Sequence, residues 1–373
     1  MIGEARRRRT FAVIGHPDAG KSTLITALAR HARVLSAAGT DWMESERAHG
    51  TSMTSAALQF AYGDTVINLL DTSGNADSSV DTYRVLSAVD SAVMLLDAAQ
   101  GLEPQTLNLF DFCRQQGIPV ITFITKWDRP GREALRLCDE LTDRIGVQPM
   151  PLTWPVGIAG HLRGVVDVPS GKFVPYRPAK AHQNESDLGA DWVRAQEEVE
   201  LLYATGGEFD ESRFLAVTAT PVLFGTAVCD FGVRHLLDSL AELAPRPAPR
   251  TDTDGEARAL DAPFSAFVFK VQTRMDPARR DQVAFARVCS GVFKRGMIVT
   301  HATTGKPFAT KYAQKAFGHL QSRDDSAYPG DVIGLADAPT LRVGDTVYTG
   351  RPPVHFPSLP GFISTRGAID PAQ

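Results

Sequence analysis

The 373-residue sequence has few cysteines and no long hydrophobic run. Its four cysteines lie far apart and show no metal-ligand spacing with histidine, so we expect reduced thiols rather than a disulfide framework or a zinc site. The apolar run that follows the four arginines at residues 6–9 ends at His16, too soon for a signal peptide. No later run is long enough to span a membrane, so we expect a cytoplasmic protein without a membrane partner.

An excess of charge of one sign is also missing. The chain carries 39 Lys and Arg against 43 Asp and Glu, a formal net charge of -4. This balance argues against a protein that coats nucleic acid, so we expect no DNA partner and only local contact with any RNA. The 43% of hydrophobic and 22% of charged residues are typical of a globular protein, and the length suffices for two domains.

Short apolar runs alternate with amphipathic stretches between about residues 10 and 244. Strands are expected at residues 11–14, 57–61, 66–70, 92–97, 120–125 and 221–225. Helices are expected at residues 22–32, 103–115, 132–145, 188–204 and 231–243. The alternation predicts an α/β fold with a doubly wound, mostly parallel sheet.

The composition changes at a proline-rich segment, residues 245–252, which predicts an extended linker. Beyond it, β-rich segments at residues 265–272, 283–288 and 345–348 are separated by Gly and Pro, as in a small antiparallel β-barrel. We therefore expect a first domain at 1–245, a linker at 246–260, a barrel domain at 261–351 and an extended or disordered tail at 352–373.

A phosphate-binding loop is predicted between the first strand and the first amphipathic helix. The residues that match G-x-x-x-x-G-K-[ST] are Gly15, His16, Pro17, Asp18, Ala19, Gly20, Lys21 and Ser22, and Thr23 completes the predicted phosphate site. Glycines let backbone N–H groups converge on phosphate oxygens, Lys21 reaches the β and γ phosphates, and Ser22 can ligate Mg²⁺. The alternative is a chance glycine-rich turn.

The Mg²⁺ and γ-phosphate side is predicted where the strand 66–70 ends. The four residues that follow are Asp71, Thr72, Ser73 and Gly74. Asp71 would hold Mg²⁺ through water, and the backbone N–H of Gly74 would approach a γ-phosphate. Without the phosphate loop, this tetrapeptide would indicate only a turn.

Base recognition is predicted after the strand 120–125. Thr125, Lys126, Trp127 and Asp128 resemble the N-K-x-D element of GTPases, with Thr in place of Asn. The Asp128 carboxylate can accept two hydrogen bonds from guanine, and the Lys126 stem can lie along the ring. The alternative is a surface ion pair between Lys126 and Asp128. A later loop resembles the backbone segment that completes guanine binding: Gly225, Thr226 and Ala227.

Beyond these motifs, the chain resembles the peptide chain release factor 3 family of translational GTPases along nearly its whole length. The stretches that carry the likeness are residues 41–44, 152–157, 220–227, 230–233, 267–272 and 275–285. The resemblance implies GTP or GDP and Mg²⁺ as ligands, and a barrel that rests on ribosomal RNA. It further implies a monomer that meets the ribosome near the factor-binding site, together with class I release factors.

The resemblance also suggests basic residues that contact phosphates of RNA, although ordinary solvated charge explains them about equally well. They are Arg274, Arg279, Arg280, Lys294 and Arg295.

The chain departs from this family around the attacking water. Asn75 occupies the position of a histidine, and an amide cannot carry positive charge, so we expect slow or ribosome-dependent hydrolysis with Asn75, Lys21 and Gly74 in the catalytic roles. Thr51 stands where the family has an apolar residue that guards the attacking water, and Pro17 lies at the facing position, so we expect this gate to be more polar and looser. Ser52 can still close on Mg²⁺.

Members of the family continue beyond residue 373, so we also expect their C-terminal domain to be absent. The alternatives are a non-hydrolysing, ribosome-associated regulator and a degenerate fragment without cellular function.

Overall fold

The computed structural model describes residues 1–32, 57–72, 79–176, 188–273, 282–310, 314–315, 326–336 and 341–357. The first sheet has seven strands, in the spatial order β2 (Ala57–Tyr62), β3 (Thr65–Asp71), β1 (Arg8–Ile14), β4 (Ser91–Asp97), β5 (Val120–Thr125), β10 (Ala219–Phe224) and β6 (Gln148–Pro151). Neighbouring strands are parallel except for the antiparallel β2–β3 pair.

Eight α-helices occur within the described ranges. They are α1 (Ile2–Arg6), α2 (Lys21–His31), α3 (Ser79–Leu86), α4 (Pro104–Gln115), α5 (Ala134–Glu140), α6 (Ala190–Ala204), α7 (Glu211–Leu215) and α8 (Val233–Leu243). None of the helices in this described part is long and apolar enough to cross a membrane.

Helices cover both faces of the first sheet. Successive side chains of a strand point to opposite faces. On β1, Phe11 and Val13 pack in one core with residues of α2 and α8, whereas Ala12 and Ile14 pack in another core with residues of α3 and α4. The expected doubly wound α/β fold is confirmed.

Several elements differ from the sequence prediction. The helix expected at residues 132–145 divides into α5 and a π-helical turn, Leu141–Ile145, which ends at Gly146 with φ 75°. Strand β6 was not predicted because Pro149 and Pro151 interrupt it, and such a strand is tolerated at the sheet edge where it lies. A three-stranded sheet was also missed: β7 (Thr153–Val156), β8 (Gly164–Asp167) and β9 (Lys172–Pro175).

The second sheet is antiparallel. Its order is β17 (Pro307–Ala309), β16 (Ile298–His301), β21 (Thr346–Tyr348), β13 (Ser265–Thr273), β14 (Gln282–Ser290), β20 (Val332–Ala336) and β18 (Gln314–Lys315). A short pair lies beside it, β15 (Phe293–Lys294) with β19 (Ser326–Ala327). Inward-facing residues such as Ala266, Val268, Ala284 and Ala286 form a separate core. The expected antiparallel barrel-type fold is confirmed.

The expected linker and the first residues of the expected tail make specific contacts. Within the linker, β11 (Arg250–Thr251) pairs with β12 (Ala257–Arg258). After Gly350, Val354 and Phe356 are buried, and the backbone N–H of Phe356 donates to Thr346 Oγ1 at 3.0 Å. Residues 351–357 contain no helix or strand, which is compatible with the extended tail expected from the sequence, although two of their apolar side chains are buried. Residues 358–373 lie outside the described ranges.

A buried carboxylate joins the two sheets. Asp331 Oδ1 accepts hydrogen bonds from Arg8 Nε at 2.7 Å, Gln59 Nε2 at 2.8 Å and Asn68 Nδ2 at 3.2 Å. Its other oxygen accepts the backbone N–H of Tyr328 at 2.8 Å. Asp331 is 2% exposed, so these partners compensate a charge that water cannot reach. The contact lies at the beginning of β1, away from the strand ends that carry the motifs.

Candidate functional site

The motifs lie at the carboxyl edge of the first sheet. In the parallel register, Val13 at the end of β1 pairs with Asp71 at the end of β3, and Asp97 at the end of β4 pairs with Thr125 at the end of β5. The carboxyl edge of a doubly wound sheet is where ligands bind. The fold therefore brings together motifs that are more than 100 residues apart in the chain.

The predicted phosphate loop connects β1 to α2. A Cβ at Gly15 would lie 2.7 Å from the carbonyl oxygen of Leu95, so only glycine fits there. Gly20 has φ 97° and directly precedes α2. Lys21 Nζ donates to the carbonyl oxygens of Gly15 at 2.9 Å and His16 at 2.8 Å, which places the ammonium within the loop.

Of the remaining loop residues, some are buried and others are exposed to solvent. His16 and Ala19 are buried and support the loop from inside. The exposed residues are Pro17, Asp18, Ser22 and Thr23. Ser22 and Thr23 lie in the first turn of α2, where the helix dipole and free backbone N–H groups favour an anion.

Lys21 and Asp71 carry the charges of the phosphate side. Burial lowers the pKa of Lys21, while the charges of Asp71 and Asp18 oppose that change. Burial raises the pKa of Asp71 to about 6, against the charges of Lys270 and Lys21 and a backbone hydrogen bond from Thr72. At both positions, burial makes the charged form of the side chain unfavourable unless an opposite charge lies nearby.

Thr72 fixes the end of β3 beside the phosphate loop, since its Oγ1 donates to the carbonyl oxygen of Val13 at 2.6 Å. The residues predicted to follow it in the site, Ser73, Gly74 and Asn75, lie outside the described residues. The same is true of Ser52 and Thr51. Their roles stay predictions.

Lys126 connects the predicted base-recognition segment to the predicted phosphate loop. Its backbone has φ 63°, and its Nζ donates to Asp97 Oδ2 and to the carbonyl oxygen of Asp18, both at 2.7 Å. Its ion-pair partner in this described region is thus Asp97 and not Asp128, contrary to the surface-pair alternative. Asp128 is half-buried beside it, where its carboxylate can accept hydrogen bonds from a base.

Asp97 was missed by the sequence reasoning. It is 4% exposed, and burial opposes its ionisation. The hydrogen bonds from Lys126 and from the backbone N–H of Ala99 outweigh burial, so the pKa of Asp97 lies below its ordinary value. A signal was present in the sequence, because Asp97 ends a core strand in the same way as Asp71.

The second base loop lies against the first. The N–H of Gly225 donates to the carbonyl oxygen of Ile124 at 3.0 Å, and the carbonyl of Gly225 accepts the N–H of Trp127 at 3.3 Å. A Cβ at Gly225 would lie 2.4 Å from the carbonyl oxygen of Phe231, so this approach requires glycine. Thr226 exchanges two backbone hydrogen bonds with Phe231, and Ala227, which is 6% exposed, begins a short 3₁₀ turn.

The interior beneath the base loops is aromatic. The rings of Trp127 and Phe224 lie edge to face with centroids 4.9 Å apart, and Trp154 lies 5.1 Å from Phe224 on centroids. Thr125 and Trp127 are buried, so these two motif residues support the loop while Lys126 and Asp128 face its surface. Such packing fixes the loop that would hold a base.

Two family models match the chain. Residues 6–246 match the elongation factor Tu GTP binding domain, and residues 263–350 match elongation factor G domain 2. A crystal structure of a Thermus thermophilus protein has the same fold, with a TM-score of 0.68 and 24% identity over 94% of this chain and 56% of that one.

Curated relatives extend the likeness across both domains. Peptide chain release factor 3 of Levilactobacillus brevis is 41% identical over 95% of this chain and 73% of its own length. The protein of the same name from Bordetella avium is 41% identical over 97% of this chain and 72% of its own length. The match to the elongation factor Tu GTP binding domain and the release factor 3 relatives show a guanine-nucleotide-binding GTPase, and its predicted phosphate and base loops lie at one sheet edge. The chain belongs to the peptide chain release factor 3 family.

Proposed function

We propose that this chain is a translational GTPase that acts on the ribosome in translation termination or release-factor recycling. The observation that supports the proposal is the convergence of Lys21, Asp71 and Asp128 at the carboxyl edge of one sheet. Membership of the release factor 3 family supplies the biological setting.

Mg²⁺ fits the donors that this edge provides. Mg²⁺ keeps several waters and is bound by one or two protein oxygens plus substrate phosphates. Ser22 and Asp71 supply such oxygens beside Lys21, and Ser52 would add a third. No group of three or more His, Cys, Asp or Glu side chains that could hold a metal ion occurs in the described ranges.

Hydrolysis is proposed to be slow without stimulation. Asn75 stands where the family carries histidine, and an amide orients water without carrying positive charge into the transition state. Lys21 and the backbone of Gly74 would still stabilise the charge on the phosphates. We therefore expect tight binding of the nucleotide together with slow hydrolysis.

We infer the partners from the family and from exposed charge beside the second sheet. Lys294 at the end of β15 and Arg295 directly after it are exposed and are candidates for contact with ribosomal RNA phosphates. Arg274, Arg279 and Arg280, proposed for the same surface, lie outside the described residues. We propose that the protein works as a monomer in the cytoplasm and takes part in releasing class I release factors.

The direct test is GTP turnover by the purified chain with and without ribosomes, together with GDP and GTP titrations. Lys21→Ala is the control, because loss of the phosphate-loop ammonium should abolish both binding and turnover. Ribosome-stimulated turnover that Lys21→Ala removes would support the proposal. Absence of guanine-nucleotide binding by the unmodified chain would refute it.

A second candidate is a hydrolytically impaired regulator that occupies the ribosome in its GTP form, and Asn75 is the residue that favours it. The variant Asn75→His separates the two functions. Tight GTP binding without turnover, with turnover restored by Asn75→His, would establish the regulator and exclude the working GTPase.

A further inference from the structure

A cavity of about 180 Å³ lies where the linker passes between the two sheets, and we call it the linker cavity. Its walls come from the residues just before β4, from residues 247–250 of the linker and from residues 287–289 of β14. Pro249 is exposed whereas Cys289 is buried, so the cavity opens beside the linker and ends inside the protein. A space of this size holds a ligand about as large as benzene, and it is smaller than the roughly 300–1,000 Å³ of pockets that take drug-sized molecules.

Two arginines line the linker cavity, and they differ in their partners. Arg287 Nη2 lies 2.6 and 2.7 Å from the two carboxylate oxygens of Asp90, so its charge is compensated. Arg250 has no carboxylate partner within the described ranges, where its hydrogen bond is to the carbonyl oxygen of Ser87 at 3.3 Å. Its guanidinium carbon lies 3.8 Å from the ring centroid of Phe267, which fixes the group by stacking on its face. Because a guanidinium carries five N–H donors around its edge, Arg250 keeps donors for a ligand in the cavity.

The surroundings of the linker cavity add positive charge. Burial and the charge of Arg246 lower the pKa of Arg9 on β1, while the charge of Asp90 opposes them. Burial also raises the pKa of the Cys289 thiol, so this side chain supplies no negative charge at neutral pH. Asp90 is thus the carboxylate that acts on both Arg9 and Arg250, although it is already paired with Arg287. The described part of this interface therefore holds more positive than negative charge, and burial makes such an excess unfavourable without a counter-ion.

We propose that the linker cavity binds a small oxyanion, with the size and charge of inorganic phosphate, between Arg250 and Arg287. The planar guanidinium fork matches the oxygens of such an anion with paired N–H···O hydrogen bonds. The anion supplies the counter-charge that Arg250 lacks, and it ties the linker to β14.

This oxyanion site is separate from the nucleotide edge. Asp90 directly precedes β4, whereas Asp97 ends the same strand at the edge that carries the motifs. Seven residues of extended chain separate the two carboxylates by about 20 Å. The inference therefore goes beyond the proposed function and does not depend on it.

The test is calorimetric titration of inorganic phosphate into the full chain at constant ionic strength. One arm contains saturating GDP, so that the predicted phosphate loop is occupied, and the other uses nucleotide-free Lys21→Ala, which removes the ammonium of that loop. In both arms, Arg250→Gln removes the unpaired cation, and Arg250→Lys keeps its charge but loses the fork. Asp90→Asn removes the carboxylate that competes with the anion. Arg163→Gln is the matched control, because it breaks an exposed arginine pair outside the cavity.

We expect saturable phosphate binding that Arg250→Gln weakens about tenfold or more, as for the loss of hydrogen bonds to a charged group. Arg250→Lys should recover part of this loss, Asp90→Asn should bind phosphate about fivefold more tightly, and Arg163→Gln should match the unmodified chain.

Absence of phosphate binding in both arms would overturn the inference. An affinity that Arg250→Gln leaves unchanged would overturn it as well, since the anion would then bind elsewhere. If Arg250→Gln does not fold, the decision passes to Arg250→Lys and Asp90→Asn, and weaker binding by Asp90→Asn would contradict the charge argument. Failure of the chain to bind GDP would refute the proposed function alone, because the Lys21→Ala arm still tests the cavity.

Discussion

Replacing Asp71 by Asn should stabilise the nucleotide-free protein at neutral pH while removing its Mg²⁺-dependent affinity for GTP. Asp71 ends β3 with a half-buried carboxyl group, and burial raises its pKa to about 6 from an ordinary value of 3.8. The nearby charges of Lys270 and Lys21 and the N–H of Thr72 oppose burial but do not outweigh it. The ionised carboxylate is thus unfavourable in the folded state until a cation binds it.

The sign and size of the effect follow from proton linkage. Because the pKa of this acid is raised on folding, the folded state binds the proton more tightly than the unfolded state between about pH 4 and pH 6. Stability is therefore lost as the pH rises through this range. At 1.36 kcal/mol per pKa unit, the loss approaches about 3 kcal/mol above pH 7. Asn is close in shape and uncharged, so Asp71→Asn avoids this loss.

The assay is urea unfolding of the nucleotide-free protein at pH 8 and pH 5. Asp71→Asn should raise the free energy of unfolding by up to about 3 kcal/mol at pH 8 and by about half as much at pH 5. Asp111→Asn, which removes a carboxylate 49% exposed on α4, is the control and should change stability little at either pH. An Asp71→Asn protein no more stable than the unmodified chain at pH 8 would refute this account of the site.

Three further changes test other parts of the structure. Asp331→Ala removes the acceptor that Arg8, Gln59 and Asn68 share, although Arg8 keeps its ion pair with Glu4, so the free energy of unfolding should fall by about 1–3 kcal/mol in urea titrations, and a loss below about 0.5 kcal/mol would contradict the buried network. Asp128→Asn should weaken GDP binding about 10- to 100-fold and shift preference toward xanthosine diphosphate, as competition titrations would show; no gain for xanthosine would remove Asp128 from the base site. Lys126→Ala should lower both the melting temperature and the GDP affinity, because it leaves Asp97 uncompensated, and an unchanged affinity would exclude a supporting role for Lys126.

The site could be predicted where its chemistry is local in the chain. Residues 15–22 and 125–128 carry their own signals, because particular residue types are needed at fixed spacing for phosphates and for a base. Their convergence was also predictable, since parallel strands place their carboxyl ends at one edge. The elements missed were those in which proline hid a strand, such as β6 with Pro149 and Pro151.

The sequence by itself determined the fold class and the two kinds of sheet, and it named candidate residues for guanine-nucleotide binding, because hydrophobic periodicity and motif spacing are properties of short segments. Only the tertiary structure decided which distant residues are partners. It joined Lys126 to Asp97 rather than to Asp128, and it paired Arg287 with Asp90, 197 residues away. Such pairings depend on strand register and on how the two sheets pack. The sequence around a buried arginine or aspartate does not distinguish it from an exposed one, so these pairings could not be predicted from the sequence.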